Sequence, residues 1–166
     1  RKLMEPFLVE APWLKMSSAS VPESRRHFYL AQAYETNVWN SRALEEVDQA
    51  IRLEPANADF YVLKTKILLA EEKSSEAARA ALLALERSRQ TIGPILRLSE
   101  DFYLPEAKLI YSKTIEMGTR EIVPYLGLGN IALHSRDLKE AEKWFNRAKS
   151  IRPDHPAVLL ALGRLM

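Results

Sequence analysis

The chain has no cysteine. Disulfides and thiolate metal sites are therefore excluded. The same absence leans slightly towards a periplasmic setting and leaves the compartment, cytoplasmic or periplasmic, open. No run approaches the roughly 18–20 apolar residues of a membrane span, so direct membrane insertion by this segment is not expected. No secretory signal peptide is visible. Glycine is scarce, with 5 in 166 residues, and β-branched clusters that mark strands are few. Charge of one sign is missing too: 24 basic residues stand against 22 acidic ones, for a net +2. A dedicated nucleic-acid binder usually carries a strongly basic face, so no nucleic-acid partner is expected. The most basic stretch is Lys139, Lys143, Arg147, Lys149 and Arg152, interleaved with Asp137, Glu140 and Glu142. That pattern reads as a solvated helix face with i,i+4 pairs.

Catalytic constellations are also lacking. There is no His-Glu-x-x-His for zinc and no phosphate-binding glycine loop. His27 falls at a core aromatic position, His155 in a turn, and only His134 at a surface a ligand could reach. Glu45-Glu46 and Glu71-Glu72 read as solvated helix faces or turns. No catalytic residue, metal or cofactor is expected, and the chain is not expected to be an enzyme.

What is present is a period. Ala43, Val47 and Ala50 precede Pro55; Ala141, Phe145 and Ala148 precede Pro153 at the same intervals. Each run sits behind a second helical stripe: Leu30, Ala31 and Tyr34 in one case, Leu128, Gly129 and Ala132 in the other. Tyr61, Leu68, Ala77, Ala81 and Ala84 repeat the spacing between them, with Ala43 to Ala77 and Ala50 to Ala84 each 34 residues apart. The stripes follow the i, i+3, i+4, i+7 rule of amphipathic helices. Pro55 and Pro153 end the second helix of the first and fourth units, because proline blocks helical geometry in the residue before it.

The expected units are about 24–57, 58–91, 92–121 and 122–155, with a partial unit at 156–166. In the first, helix A covers about 24–36 and helix B about 41–53. The third unit is irregular. Read from the front, Ile95, Leu98, Ser99 and Phe102 keep the register; read from the back, Ala107, Tyr111 and Thr114 do. The two readings differ by four residues, so helix A, about 93–103, is expected to have lost roughly one turn. Pro105 would then start helix B, where its missing N–H is harmless. Residues 1–23 stand outside the repeat. Pro6, Pro12 and Pro22 break any long helix, and Ser17–Ser20 reads as a linker. Phe7, Leu8, Val9, Trp13 and Leu14 suggest a cap over the end of the array, a ligand folded into its groove, or a juxtamembrane segment.

The pattern resembles the tetratricopeptide repeat family. Tyr125, Leu128, Gly129, Ala132, Ala141, Phe145, Ala148 and Pro153 carry it, with Ala132 where the family has tyrosine. The resemblance implies an all-α, right-handed superhelical solenoid of antiparallel helix pairs. It also implies a concave wall built by helix A. The groove positions are Phe28, Gln32, Val62, Lys66, Leu126, Asn130 and His134. Phe28, Val62, Leu126 and Leu160 are equivalent and apolar, which reads as an exposed binding stripe. Some members of the family clamp a C-terminal carboxylate with paired Lys and Asn. Phe28 and Gln32 stand at the first-unit positions of that clamp, so it is not expected here, although Lys66 and Asn130 keep a polar fragment of it.

The resemblance thus points to a protein–protein interaction scaffold that holds a partner peptide or helix. A second setting is a regulatory or docking region of a larger enzyme or membrane machine, such as a glycan polymerase, a glycosyltransferase or a secretion complex. The chain starts at Arg1-Lys2 and stops inside a helical pattern, which reads as an excerpt of a larger bacterial-type protein. The apolar stripe of that last helix invites end-to-end self-association.

Overall fold

Punctuation residues set the elements. Helix α1 (Glu23–Thr36) starts behind Pro22, and α2 (Asn40–Leu53) stops one residue short of Pro55. Asn57 caps α3 (Ala58–Ala70): its side chain accepts the Asp59 N–H at 3.2 Å. Helix α4 (Ser74–Arg87) is alanine-rich and runs into a 3₁₀ turn, Arg89–Thr91. Then come α5 (Ile92–Arg97), a second 3₁₀ turn at Ser99–Asp101, and α6 (Leu104–Glu116) with Pro105 in its first turn. Helix α7 (Val123–His134) has Pro124 in its first turn. Asp137 caps α8 (Leu138–Ile151) by accepting the Glu140 N–H at 3.0 Å. Helix α9 (Pro156–Gly163) completes the series.

The computed structural model of the chain describes residues 21–165. Among these residues all regular structure is helical. The cap, linker and groove-ligand readings for the N-terminal segment fall on residues 1–20, outside the described part, as does Met166.

Consecutive helices pack in pairs, α1 with α2, α3 with α4, α7 with α8, while the first helices of neighbouring pairs also touch. Small residues make the close approach. Ala31, Ala43 and Ala50 are fully buried around Val47 in the first pair, and Ala77, Ala81 and Ala84 in the second. Larger residues fill the space between pairs: Phe60 and Ile67 against the first, Ile95 and Ile110 in the middle, Phe145 towards the end. The core is a stack of layers, each shared by adjacent pairs. Pro55 ties two of them: its carbonyl accepts from the Tyr61 hydroxyl at 3.0 Å and from Arg87 Nε at 2.7 Å.

The turns inside the pairs share one geometry. After α1, α3 and α7 a single residue adopts positive φ: Val38 (61°), Glu72 (58°) and Arg136 (60°). The next N–H reaches back five residues to a helix carbonyl: Trp39 to Tyr34 and Lys73 to Leu68 at 2.9 Å, and Asp137 to Ala132 at 2.9 Å. This is the Schellman closure, which satisfies carbonyls left over at a helix end. Val38 and Glu72 lie 34 residues apart, whereas Glu72 and Arg136 lie 64 apart, four short of two periods. The missing four belong to α5, which has 6 residues where α1, α3 and α7 have 14, 13 and 12.

Candidate partner-binding groove

Helix α7 is gripped on two sides through its glycines. A Cβ on Gly129 would stand 2.2 Å from the Phe145 ring of α8, and one on Gly127 would stand 2.3 Å from the Tyr111 ring of α6. Two residues along a helix turn the direction by about 200°, so the contacts lie on nearly opposite faces. The Tyr111 hydroxyl donates to Ser99 Oγ at 3.2 Å, and the Ser99 hydroxyl donates to the Leu96 carbonyl at 2.6 Å. The ring is thereby fixed to the short α5 segment as well as to α7.

A third face of α7 is partly open: Leu126 is half-buried against the layers around Phe145 and Val158, Asn130 is half-buried, and His134 is exposed. Leu126, Asn130 and His134 follow one another at i, i+4 and i+8 along it, which puts them on one stripe. With Val123 they form one wall of an open pocket of about 410 Å³. Glu100, Phe102 and Leu104 form the opposite wall, and Ala107, Tyr111 and Gly127 the floor. A neighbouring hollow of about 400 Å³, lined by Gly93, Leu96, Arg97 and Glu121, shares Glu100 and Val123 with it.

The polar groups along this stripe are available. His134 Nδ1 lies 2.8 Å from the Asn130 carbonyl. A carbonyl can only accept, so Nδ1 carries the proton and Nε2 is the free atom. The Asn130 side-chain amide has no hydrogen-bond partner among the described residues, and Glu100 is exposed.

The seven expected groove residues divide. Leu126, Asn130 and His134 meet in the pocket. The other four stand on α1 and α3, apart from this pocket. Phe28 does not contribute an exposed stripe: it is buried, with its ring 5.0 Å from Phe60, because the next pair brings that aromatic over it. Val62 is half-buried against the core, and Leu160 is 61% exposed. Lys66 reaches Glu35 at 3.0 Å, so its charge is already partnered across α1 and α3. Gln32 is exposed. His27, expected in the core, is half-buried with Nδ1 2.6 Å from Glu46. Trp39 stacks on Tyr34 at 5.8 Å, with Arg42 over both rings.

Glu100, Phe102, Tyr111 and Gly127 were not among the expected groove residues. The signal for them was the four-residue register slip, together with a second glycine beside Gly129.

A tetratricopeptide-repeat family model matches residues 125–156. The described residues have the fold of a tetratricopeptide-repeat solenoid. Solved structures extend that fold over the other pairs. A tetratricopeptide repeat protein from Parabacteroides merdae superposes with a TM-score of 0.66 at 15% identity, over 86% of this chain and 59% of that one. YrrB, described as a repeat protein with an unusual peptide-binding site, gives 0.59 at 17% identity, over 84% of this chain and 74% of that one. PilF of Pseudomonas aeruginosa gives 0.58 at 16% identity, over 86% and 67%. No curated protein matches significantly in sequence. At these identities the likeness is one of fold. The solenoid shares the architecture of these repeat proteins. None of its described helices is long and apolar enough to cross a membrane.

Proposed function

We propose that the solenoid is a binding module that holds an extended segment of a partner protein along the partly open face of α7. The observation that carries this is the convergence of Leu126, Asn130 and His134 on one open pocket. Leu126 offers apolar area at the wall. The Asn130 amide offers two donors and an acceptor at the spacing an extended backbone needs. His134 offers a ring nitrogen one turn further on. The same reading applies if the chain works as the docking region of a larger enzyme or membrane machine, because the groove is then what recruits the substrate or subunit. Gln32, Val62 and Lys66 would extend the contact towards α3 and α1, with weaker effect at Lys66 because a ligand must displace Glu35.

The experiment is affinity capture from the native host, followed by titration of the recovered partner. Leu126→Ala and Asn130→Ala are expected to weaken binding while helicity is unchanged. The lost hydrogen bond at Asn130 corresponds to about 1 kcal/mol, roughly fivefold in Kd. Unchanged affinity in both variants would move the site off α7.

A further inference from the structure

We infer that the pocket between the short α5 segment and α7 is a socket for an aromatic side chain of the partner, next to a lysine or arginine that pairs with Glu100. This rests on the groove reading above and adds what fills its deepest part.

The socket has a definite origin. Helix α5 stops after 6 residues and is followed by a 3₁₀ turn, whereas α7 runs for 12. The open pocket of about 410 Å³ lies where the last turn of α5 is missing, and the neighbouring helices have not closed it. Collapse is blocked because Tyr111 is held from two directions, by Ser99 through its hydroxyl and by Gly127 against its ring. A wall that is already fixed loses little entropy on binding.

The lining selects the occupant. Phe102, Tyr111, Val123 and Leu126 supply apolar and aromatic surface. An aromatic guest fills such a space with two rotatable bonds and gains edge-to-face contacts with resident rings. Its flanking backbone meets the free Asn130 amide. The pocket's one formally charged wall residue is Glu100, which has no cation within 4.0 Å among the described residues. The adjoining hollow carries Arg97 beside both Glu100 and Glu121, so the two hollows together are net negative. A basic neighbour in the guest sequence is therefore favoured over an acidic one.

The test uses the full chain, fluorescently labelled, on an array of short Ser-Gly peptides whose two central positions run through every residue pair. Aromatic residues beside Lys or Arg are expected to give the strongest binding. Exchanging the basic residue for Glu should weaken it about three- to fivefold, the size of an exposed charge contact. Glu100→Lys lies on the surface and should retain the fold; it is expected to reverse the preference to aromatic-Glu pairs. Leu126→Ala should weaken all aromatic pairs. An array with no aromatic preference overturns the socket, and so does a basic preference that survives Glu100→Lys. If Leu126→Ala abolishes binding while Glu100→Lys changes nothing, the groove stands and the aromatic-basic assignment falls. If neither variant alters the pattern, the groove reading falls with it.

Discussion

Gly129 leaves no room for a side chain against Phe145. Phe145 is fully buried, so its ring has no free volume into which to retreat. Gly129→Leu is expected to destabilise the protein by roughly 1–3 kcal/mol or more, since overpacking forces helices apart. Lys143→Ala makes the comparison: Lys143 pairs with Glu140 at 3.0 Å on the surface, a contact of about 0.2–0.5 kcal/mol. Thermal melts of the two variants check the difference, and equal midpoints would contradict the contact. Val38 presents the reverse case. It is 76% exposed and held at a φ of 61°, where a β-branched side chain is strained. Asparagine visits that region readily. Val38→Asn is expected to stabilise by about 1 kcal/mol, raising Tm by roughly 2–4 °C. A lower midpoint would show that Val38 makes a contact worth more than the strain.

Helix α5 differs from every other helix in the array, and its shortness has a measurable cost. The first four N–H groups of any helix lack an intrahelical partner, so 6 residues leave few complete bonds. Amides of Leu96–Asp101 are expected to exchange hydrogen faster than those in the middle of α4 or α8, which have 14 residues each. Uniform protection across all three would mean that burial of Ile95 and Thr91 fully compensates. The register slip was legible, since the registers through Ile95 and Ala107 disagree by four residues; its extent was not, because the pattern predicts helix A over about 93–103, whereas α5 ends at Arg97 and a 3₁₀ turn at Ser99–Asp101 takes its place. The helix pairs were legible for a similar reason, since Ala43, Ala77 and Ala141 mark close approaches that only small residues permit. The fate of the groove residues was less so. Phe28 and Leu126 hold the same register position, yet Phe28 is buried because Phe60, from the following pair, covers it. Lys66 likewise meets Glu35 from the preceding pair. Such pairings depend on what the neighbouring unit happens to carry, and a repeat pattern averages that away. The pocket was hidden for the same reason: a deletion indicates missing atoms, but Tyr111, Ser99 and Gly127 decide whether the gap closes.

Taken as a whole, the solenoid stores its stability locally. The layer around Val47 and Phe60 shares no buried residue with the layer around Ala132 and Phe145. Effects at the two ends should therefore add. Val47→Ala and Phe145→Leu are each expected to destabilise the protein, and the double variant to match their sum within about 0.5 kcal/mol; a larger discrepancy, measured by denaturant unfolding, would reveal long-range coupling through the stack. Between those ends lies a layer with a gap in it. A stack of helix pairs behaves as a spring, and its stiffness at each coil comes from atoms pressing on both sides of the joint. Where α5 gives out, the joint has contact on one side and open space on the other. Among the described residues the array is thus a spring with a compliant coil near its middle. A guest seated there works as a splint: it occupies the open side and transmits load between α7 and the 3₁₀ turn. If the groove binds its partner there, as proposed, binding and the curvature of the superhelix would become two readings of the same displacement.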